Sequence, residues 1–168
     1  MRRATSGLFA FLGFLVVLTA ARTVGPDAFI GHVGDSRVYL FRGGSLQQLT
    51  RDHTLAQQLV DAGAIPSVSA ASRYMQNMLV NCLGARKREV HVEVHHLGLS
   101  DGDRLLLCTD GLTDLVADDQ IAQILARDAT PDDTCRALVD AALDRGGKDN
   151  VTVVLAKYTI PKTLEPQR

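Results

Sequence analysis

Past Pro26 the chain alternates short apolar runs with turn formers, and the spacing of those runs predicts most of its elements. Ala28 to Val33 is an apolar run of strand type. Val38 to Phe41 and Leu46 to Leu49 flank Gly43-Gly44, a pair able to adopt the positive φ of a tight hairpin. Leu55, Leu59 and Ala62 recur at helical spacing, which predicts a helix over 54–62 with these residues on one face and Gly63 as its stop. Pro66 to Ala71 is small and polar and reads as a loop. Val90, Val92 and Val94 alternate with His91, Glu93 and His95, the period-two signature of a half-buried strand. The turn Asp101-Gly102-Asp103 leads into Leu105-Leu106-Leu107-Cys108, which reads as a fully buried strand.

Helices come late. Asp118 is expected to cap one whose inner face is Ile121, Ile124 and Leu125. Thr130-Pro131-Asp132-Asp133 starts another, with a capping hydroxyl, a proline at the first helical position and acids facing the positive helix end. Cys135, Leu138, Val139, Ala142 and Leu143 follow at helical spacing until Gly146-Gly147, and Val151 to Leu155 is the last strand. The expected fold is therefore an α/β (α+β) sandwich, antiparallel sheets covered by helices.

Residues 1–25 are expected to be an apolar leader, 26–160 the domain and 161–168 a polar tail. Arg2 and Arg3 precede an apolar stretch from Leu8 to Leu18, then Thr19-Ala20-Ala21, a pattern like a secretory signal. The stretch is short for a membrane span, which needs about 20 apolar residues. Its alternatives are a buried strand or helix of the domain, or a leader produced by a misplaced start. The expected location is cytoplasmic, with export or membrane association through residues 1–21 as the alternative.

Composition narrows the class. The 168 residues suffice for one domain with a core, and 46% apolar against 22% charged carries no disorder signature. Lys plus Arg is 18 against 19 for Asp plus Glu, a net charge of −1, which argues against a nucleic-acid binder. Cys82, Cys108 and Cys135 form no CxxC pair, so neither a zinc knuckle nor a disulfide framework is expected. Buried, reduced thiols are the expected state.

Three segments set an aspartate at a strand end beside glycine or a small polar residue: Gly34-Asp35-Ser36-Arg37, Cys108-Thr109-Asp110-Gly111 and Gly147-Lys148-Asp149-Asn150. Mg²⁺ and Mn²⁺ require carboxylate, carbonyl and water oxygens held rigidly at a solvent-open edge. Adjacent glycine lets backbone approach the ion closely. Each segment alone is ordinary turn chemistry. Their combination points to a divalent-cation site.

Together with GHVGDSRVYLFRGG, LTRDH, Gln76-Asn77-Met78-Leu79 leading to Leu83-Gly84, LLLCTDGLTD and GGKDNVTVV, these segments resemble the PP2C (PPM) family of metal-dependent serine/threonine protein phosphatases, bacterial members above all. The resemblance runs from about Ala28 to Tyr158. It implies that Asp110 and Asp149 help coordinate a pair of Mn²⁺ or Mg²⁺ ions, and that Asp35 with Asp110 forms a further, weaker metal position. It implies that Gly111 and Asn150 shape the loops around these ligands. It gives His53 a structural role only and names no catalytic residue beyond the metal ligands. The implied substrate is phosphoserine or phosphothreonine in a protein, a serine/threonine kinase or its targets among the partners, with no nucleic acid.

The family's N-terminal motifs, an arginine before Asn-(Gln/Glu)-Asp and an Asp-Gly-x-Gly-Gly, are not found in this sequence, so the expected domain is N-terminally truncated. Two carboxylates facing two dications leave strong repulsion between the cations, so the chain alone is expected to bind at most one divalent ion weakly and to hydrolyse phosphate esters poorly. The alternative readings are a catalytically dead pseudophosphatase acting as a protein-binding module and an exported structural protein. His91, His95 and His96 read as solvent-facing strand residues, since His91 and His95 would stand roughly 13 Å apart along a strand. Asp118-Asp119 and Asp132-Asp133 read as helix-start acids, and Arg86-Lys87-Arg88 as a solvated turn.

Overall fold

The computed structural model describes residues 16–84 and 89–160. In chain order these form β1 (Leu18–Val24), β2 (Asp27–Val33), β3 (Arg37–Arg42) and β4 (Ser45–Gln48). Then come α1 (Leu55–Asp61), a 3₁₀ turn at Val68–Ala70, α2 (Arg73–Gln76), β5 (Glu93–Gly98) and β6 (Arg104–Cys108). The chain closes with α3 (Asp110–Thr113), α4 (Asp118–Leu125), α5 (Pro131–Leu143) and β7 (Val153–Lys157). Two antiparallel sheets result, one ordered β1-β2-β5 and the other β4-β3-β6-β7.

Burial explains the layering. The strands β3 and β6 lie at the centre of the second sheet and are apolar on both faces. Tyr39, Phe41, Leu106 and Cys108 meet Leu112, Val116, Ile121, Leu125 and Leu138 of the helical layer. Val38 and Leu105 point the other way and pack on Ile30 of the first sheet. Burying each such side chain stabilises the fold by about 1.5–3 kcal/mol. The layers are helices, sheet, sheet, which is the expected sandwich of antiparallel sheets with helices over it.

The hairpin β3–β4 turns at Gly43 and Gly44, both at positive φ (57° and 83°), and α1 stops at Gly63 (φ 68°). In α5, Thr130 caps through its hydroxyl, which accepts from the Asp133 N–H at 3.1 Å, and Pro131 occupies the first helical position.

Several expectations need correcting. Leu18–Val24, assigned from sequence to the leader, is a strand paired residue for residue with β2 through a turn at Gly25 (φ 59°). In α1 the buried residue is Ala56, while Ala62 is exposed. Asp118 is the first residue of α4, with Ala117 at the cap position, and its carboxylate accepts instead from the Tyr39 hydroxyl at 2.9 Å. On α5 Thr134 is buried and Leu143 is 56% exposed. The Pro66–Ala71 loop contains the 3₁₀ turn, and α2 follows it.

The largest correction concerns β5. The strand begins at Glu93, and its phase is the reverse of what the valines imply: Val92 and Val94 are 53% and 70% exposed. Pairing with β2 sets His95 opposite Ile30 and Leu97 opposite Ala28, so the odd-numbered residues share the inward face. Leu97 and the buried Leu99 carry the same parity and were the available signal. Arg86-Lys87-Arg88, the first fifteen residues and the 161–168 tail lie outside the described residues.

Candidate functional site

The acidic segments meet because β3, β6 and β7 are neighbours. Arg37 lies opposite Cys108, and Cys108 opposite Val153, so the approach to β3, the exit from β6 and the entry to β7 share one end of the second sheet. Asp35 stands just before β3, Asp110 opens α3 just after β6, and Asp149 sits in the loop leading to β7.

The last two loops are tied together by backbone. The Thr109 N–H donates to the Thr152 carbonyl at 3.1 Å, and the Thr109 hydroxyl donates to the Asn150 carbonyl at 3.2 Å and accepts from the Thr152 N–H at 3.0 Å. Gly111 is buried against this junction, and a Cβ there would collide with the Asn150 carbonyl oxygen. Gly111 and Asn150 therefore shape the same close approach. Asp149 is exposed, and its carboxylate accepts from the Asn150 N–H at 2.7 Å.

Asp35 and Asp110 line a cavity of ≈ 40 Å³ together with Asp52, Asp114, Arg37 and Gln76. Burial first, and the Asp110 charge second, push the Asp35 carboxyl up to about 6. Burial also raises Asp110, followed by the charges of Asp114 and Asp149. Asp149 does not line the cavity, but it is near enough for its charge to act on Asp110. Two arginines close by are each engaged by a carboxylate. Arg37 donates from Nη2 to Asp52 Oδ2 at 2.7 Å and from Nε to both carboxylate oxygens, and Arg73 pairs with Asp114 at 2.6 Å.

Mutually repelling carboxylates, with Arg37 and Arg73 engaged by Asp52 and Asp114, form a donor set of hard oxygens, which fits Mg²⁺ or Mn²⁺. Asp114 was missed from the sequence. Its signal is the spacing Asp110-x-x-x-Asp114, which puts both carboxylates on one side of a helical turn.

Among the described residues a second cluster has metal-like composition. His32, His53 and Glu93 each offer an atom within 4.8 Å of the others. Hydrogen bonds oppose that use. His53 Nδ1 accepts from the Gly34 N–H at 3.0 Å and from Asn81 Nδ2 at 2.9 Å, and Asn81 is oriented by two bonds to the His91 backbone. The ring proton must then sit on Nε2, leaving no lone pair there for a metal. His32 is likewise engaged at both nitrogens, by the Thr19 hydroxyl at 2.9 Å and the Arg51 carbonyl at 3.2 Å. As for the other histidines, His95 is partly inside and bonded to Glu93 at 2.6 Å, whereas His96 is exposed, stacked on Phe29 and paired with Asp27.

Comparison with known proteins places this arrangement in context. The family model described as Stage II sporulation protein E (SpoIIE) matches residues 40–159. The chain is 39% identical over 144 residues to the serine/threonine protein phosphatase PstP of Mycobacterium tuberculosis, covering 86% of this chain and 27% of PstP. It superposes on the Streptococcus agalactiae serine/threonine phosphatase with a TM-score of 0.83 at 34% identity, covering 90% of this chain and 62% of that one. The catalytic domain of PstP in complex with two manganese ions is similar at a TM-score of 0.76 and 37% identity, covering 86% of this chain and 59% of that one. The chain thus spans 27% of the curated PstP and 62% and 59% of the two solved chains.

Proposed function

The chain belongs to the SpoIIE/PP2C-type phosphatase family, and from that premise we propose that it serves the metal-dependent hydrolysis of phosphoserine and phosphothreonine in proteins. In this reading Asp110 and Asp149 hold a pair of Mn²⁺ or Mg²⁺ ions, and Asp35 with Asp110 holds a further, weaker cation. Gly111 keeps the Asp110 and Asn150 backbones in contact, so that the acids on the two loops face the same space. When bound, such ions supply a water acidified towards neutral pKa and neutralise charge on the phosphoryl oxygens.

The observation that carries the proposal is the meeting of Asp35 and Asp110 in one cavity at the end shared by β3, β6 and β7. Both carboxyls are held above their ordinary range by burial and by neighbouring acids, a state that a divalent cation relieves. Cys82, Cys108 and Cys135 are free thiols, which supports a reducing, cytoplasmic site of action. Among the described residues no helix is long and apolar enough to cross a membrane. Phosphorylated proteins are the proposed substrates, with a serine/threonine kinase or its targets among them. The relatives named above are phosphatases, and nothing in them favours a catalytically dead binding module.

Calorimetric titration of the chain with Mn²⁺ is the direct test. The expected result is binding that Asp110→Asn weakens by about tenfold or more. Equal affinity in Asp110→Asn would refute the assignment.

A further inference from the structure

His53 follows Asp52, and this dipeptide touches the acidic loop at both ends. At one end His53 grips Gly34 twice: its backbone N–H donates to the Gly34 carbonyl at 2.7 Å, and its Nδ1 accepts from the Gly34 N–H at 3.0 Å. At the other end Asp52 takes Arg37 through three hydrogen bonds of 2.7–3.1 Å. Between those two grips lie only Asp35 and Ser36. Gly34 itself sits at φ 121°, a conformation closed to most L-residues, and Val17 of the neighbouring segment packs where its Cβ would be.

The grip on Gly34 is braced from behind. Asn81 donates to the same His53 Nδ1 and is fixed by its bonds to the His91 backbone. Glu93 Oε2 lies 3.8 Å from His53 Nε2 and accepts from the Arg51 N–H at 3.0 Å. The imidazole is therefore held in one tautomer and one orientation by groups from three separate segments.

We propose that His53 is a positioning residue: through its two hydrogen bonds to Gly34, with Asp52–Arg37 as the opposite anchor, it fixes the Asp35 carboxylate for a divalent cation. The proposal rests on the reading of Asp35 as a cation ligand. Groups that orient a ligand from behind typically govern affinity by about 10–100-fold, so a loss near the lower end, about tenfold, is expected when the acceptor at Nδ1 is removed.

The test compares Mn²⁺ affinity and thermal midpoint across four variants of the whole chain. His53→Leu removes the acceptor and is expected to weaken Mn²⁺ binding about tenfold. His53→Asn can set an amide oxygen at the place of Nδ1 and is expected to recover most of that affinity. Thr134→Val is the stability control, because the buried Thr134 hydroxyl donates to the Thr130 carbonyl at 2.8 Å on α5, a helix that supplies no residue to the acidic cavity. It is expected to lower the midpoint with Mn²⁺ affinity unchanged. Asp35→Asn is expected to weaken Mn²⁺ binding.

Unchanged affinity in His53→Leu, or no recovery in His53→Asn, overturns the positioning role while leaving the Asp35 reading intact. Unchanged affinity in Asp35→Asn sinks that reading and this inference together. Nitrogen NMR of the His53 imidazole gives a further reading. A proton on Nε2 and none on Nδ1 is expected, and the opposite tautomer contradicts the proposal.

Discussion

At the scale of single residues, the acids of the proposed site are held against their own electrostatic preference. Asp35 titrates at about 6 in the fold against 3.8 unperturbed, because burial and the Asp110 charge penalise its ionised form. The folded chain therefore holds this proton more tightly than the unfolded chain, and the Asp35 contribution to stability falls as pH rises from 3.8 through about 6. His32 and His53 act in the opposite sense. Burial lowers both below 6.5, so the stability they contribute is present above 6.5 and is lost as pH falls through their folded values. Above pH 7 His32 and His53 are neutral, and the penalties on the ionised Asp35 and Asp110 carboxylates remain. Asp35→Asn should then stabilise the metal-free protein by ~1–2 kcal/mol, after discounting for solvent screening of a partly exposed group. Chemical denaturation at pH 7.5 and pH 4 checks this, and the gain should vanish at the lower pH. The acids were legible in the sequence as residue types beside glycine. Their mutual repulsion was not, since it depends on distances across three strands.

Among elements, β5 shows how pattern and pairing divide the work. Period-two alternation was present in the sequence, and a strand is present in the fold, but the alternation of valine with histidine and glutamate does not say which set turns inward. The register with β2 decides it by putting His95 and Leu97 on the face shared with Ile30 and Ala28. Glu93 is tolerated inside because the Arg51 N–H and His95 meet its carboxylate. By contrast, the continuous run Leu105–Cys108 could be read directly, since a strand buried on both faces has no phase to choose. Two substitutions separate these cases. Leu105→Ala, at a 1% exposed position, should cost about 2–5 kcal/mol in unfolding free energy, whereas Val94→Thr, at a 70% exposed one, should stay within about 0.5 kcal/mol. Equal costs would mean that β5 is paired in the other phase.

For the molecule as a whole, the proposed function is limited by the negative charge available to two dications. Asp114 and Asp52 line the cavity, but each is already bonded to an arginine, which leaves Asp35, Asp110 and Asp149 to face cations. Two dications about 4 Å apart repel strongly unless bridging carboxylates lie between them. The chain assayed alone should therefore bind one Mn²⁺ weakly and turn over a phosphothreonine peptide slowly. Robust Mn²⁺-dependent turnover by the purified chain, lost in Asp110→Ala, would refute this expectation. The first sheet also presents a partly apolar outer face, with Leu18, Val24, Phe29 and Val94 each 45–70% exposed.

Sequence alone determined the parts of this protein that depend on near neighbours. Glycine pairs marked the turns, Thr130-Pro131 marked the start of α5, and the doubly buried run at Leu105 marked a central strand. It also supplied the three acidic segments, because residue type and adjacent glycine are local properties. What joins those segments is not local. Only pairing between β3, β6 and β7 brings Asp35, Asp110 and Asp149 to one end of the second sheet, and only the register between β2 and β5 turns Glu93 inward. The grip of His53 on Gly34 spans 19 residues of chain, so it exists only once the sheets are stacked and the loop after β4 has folded back against them.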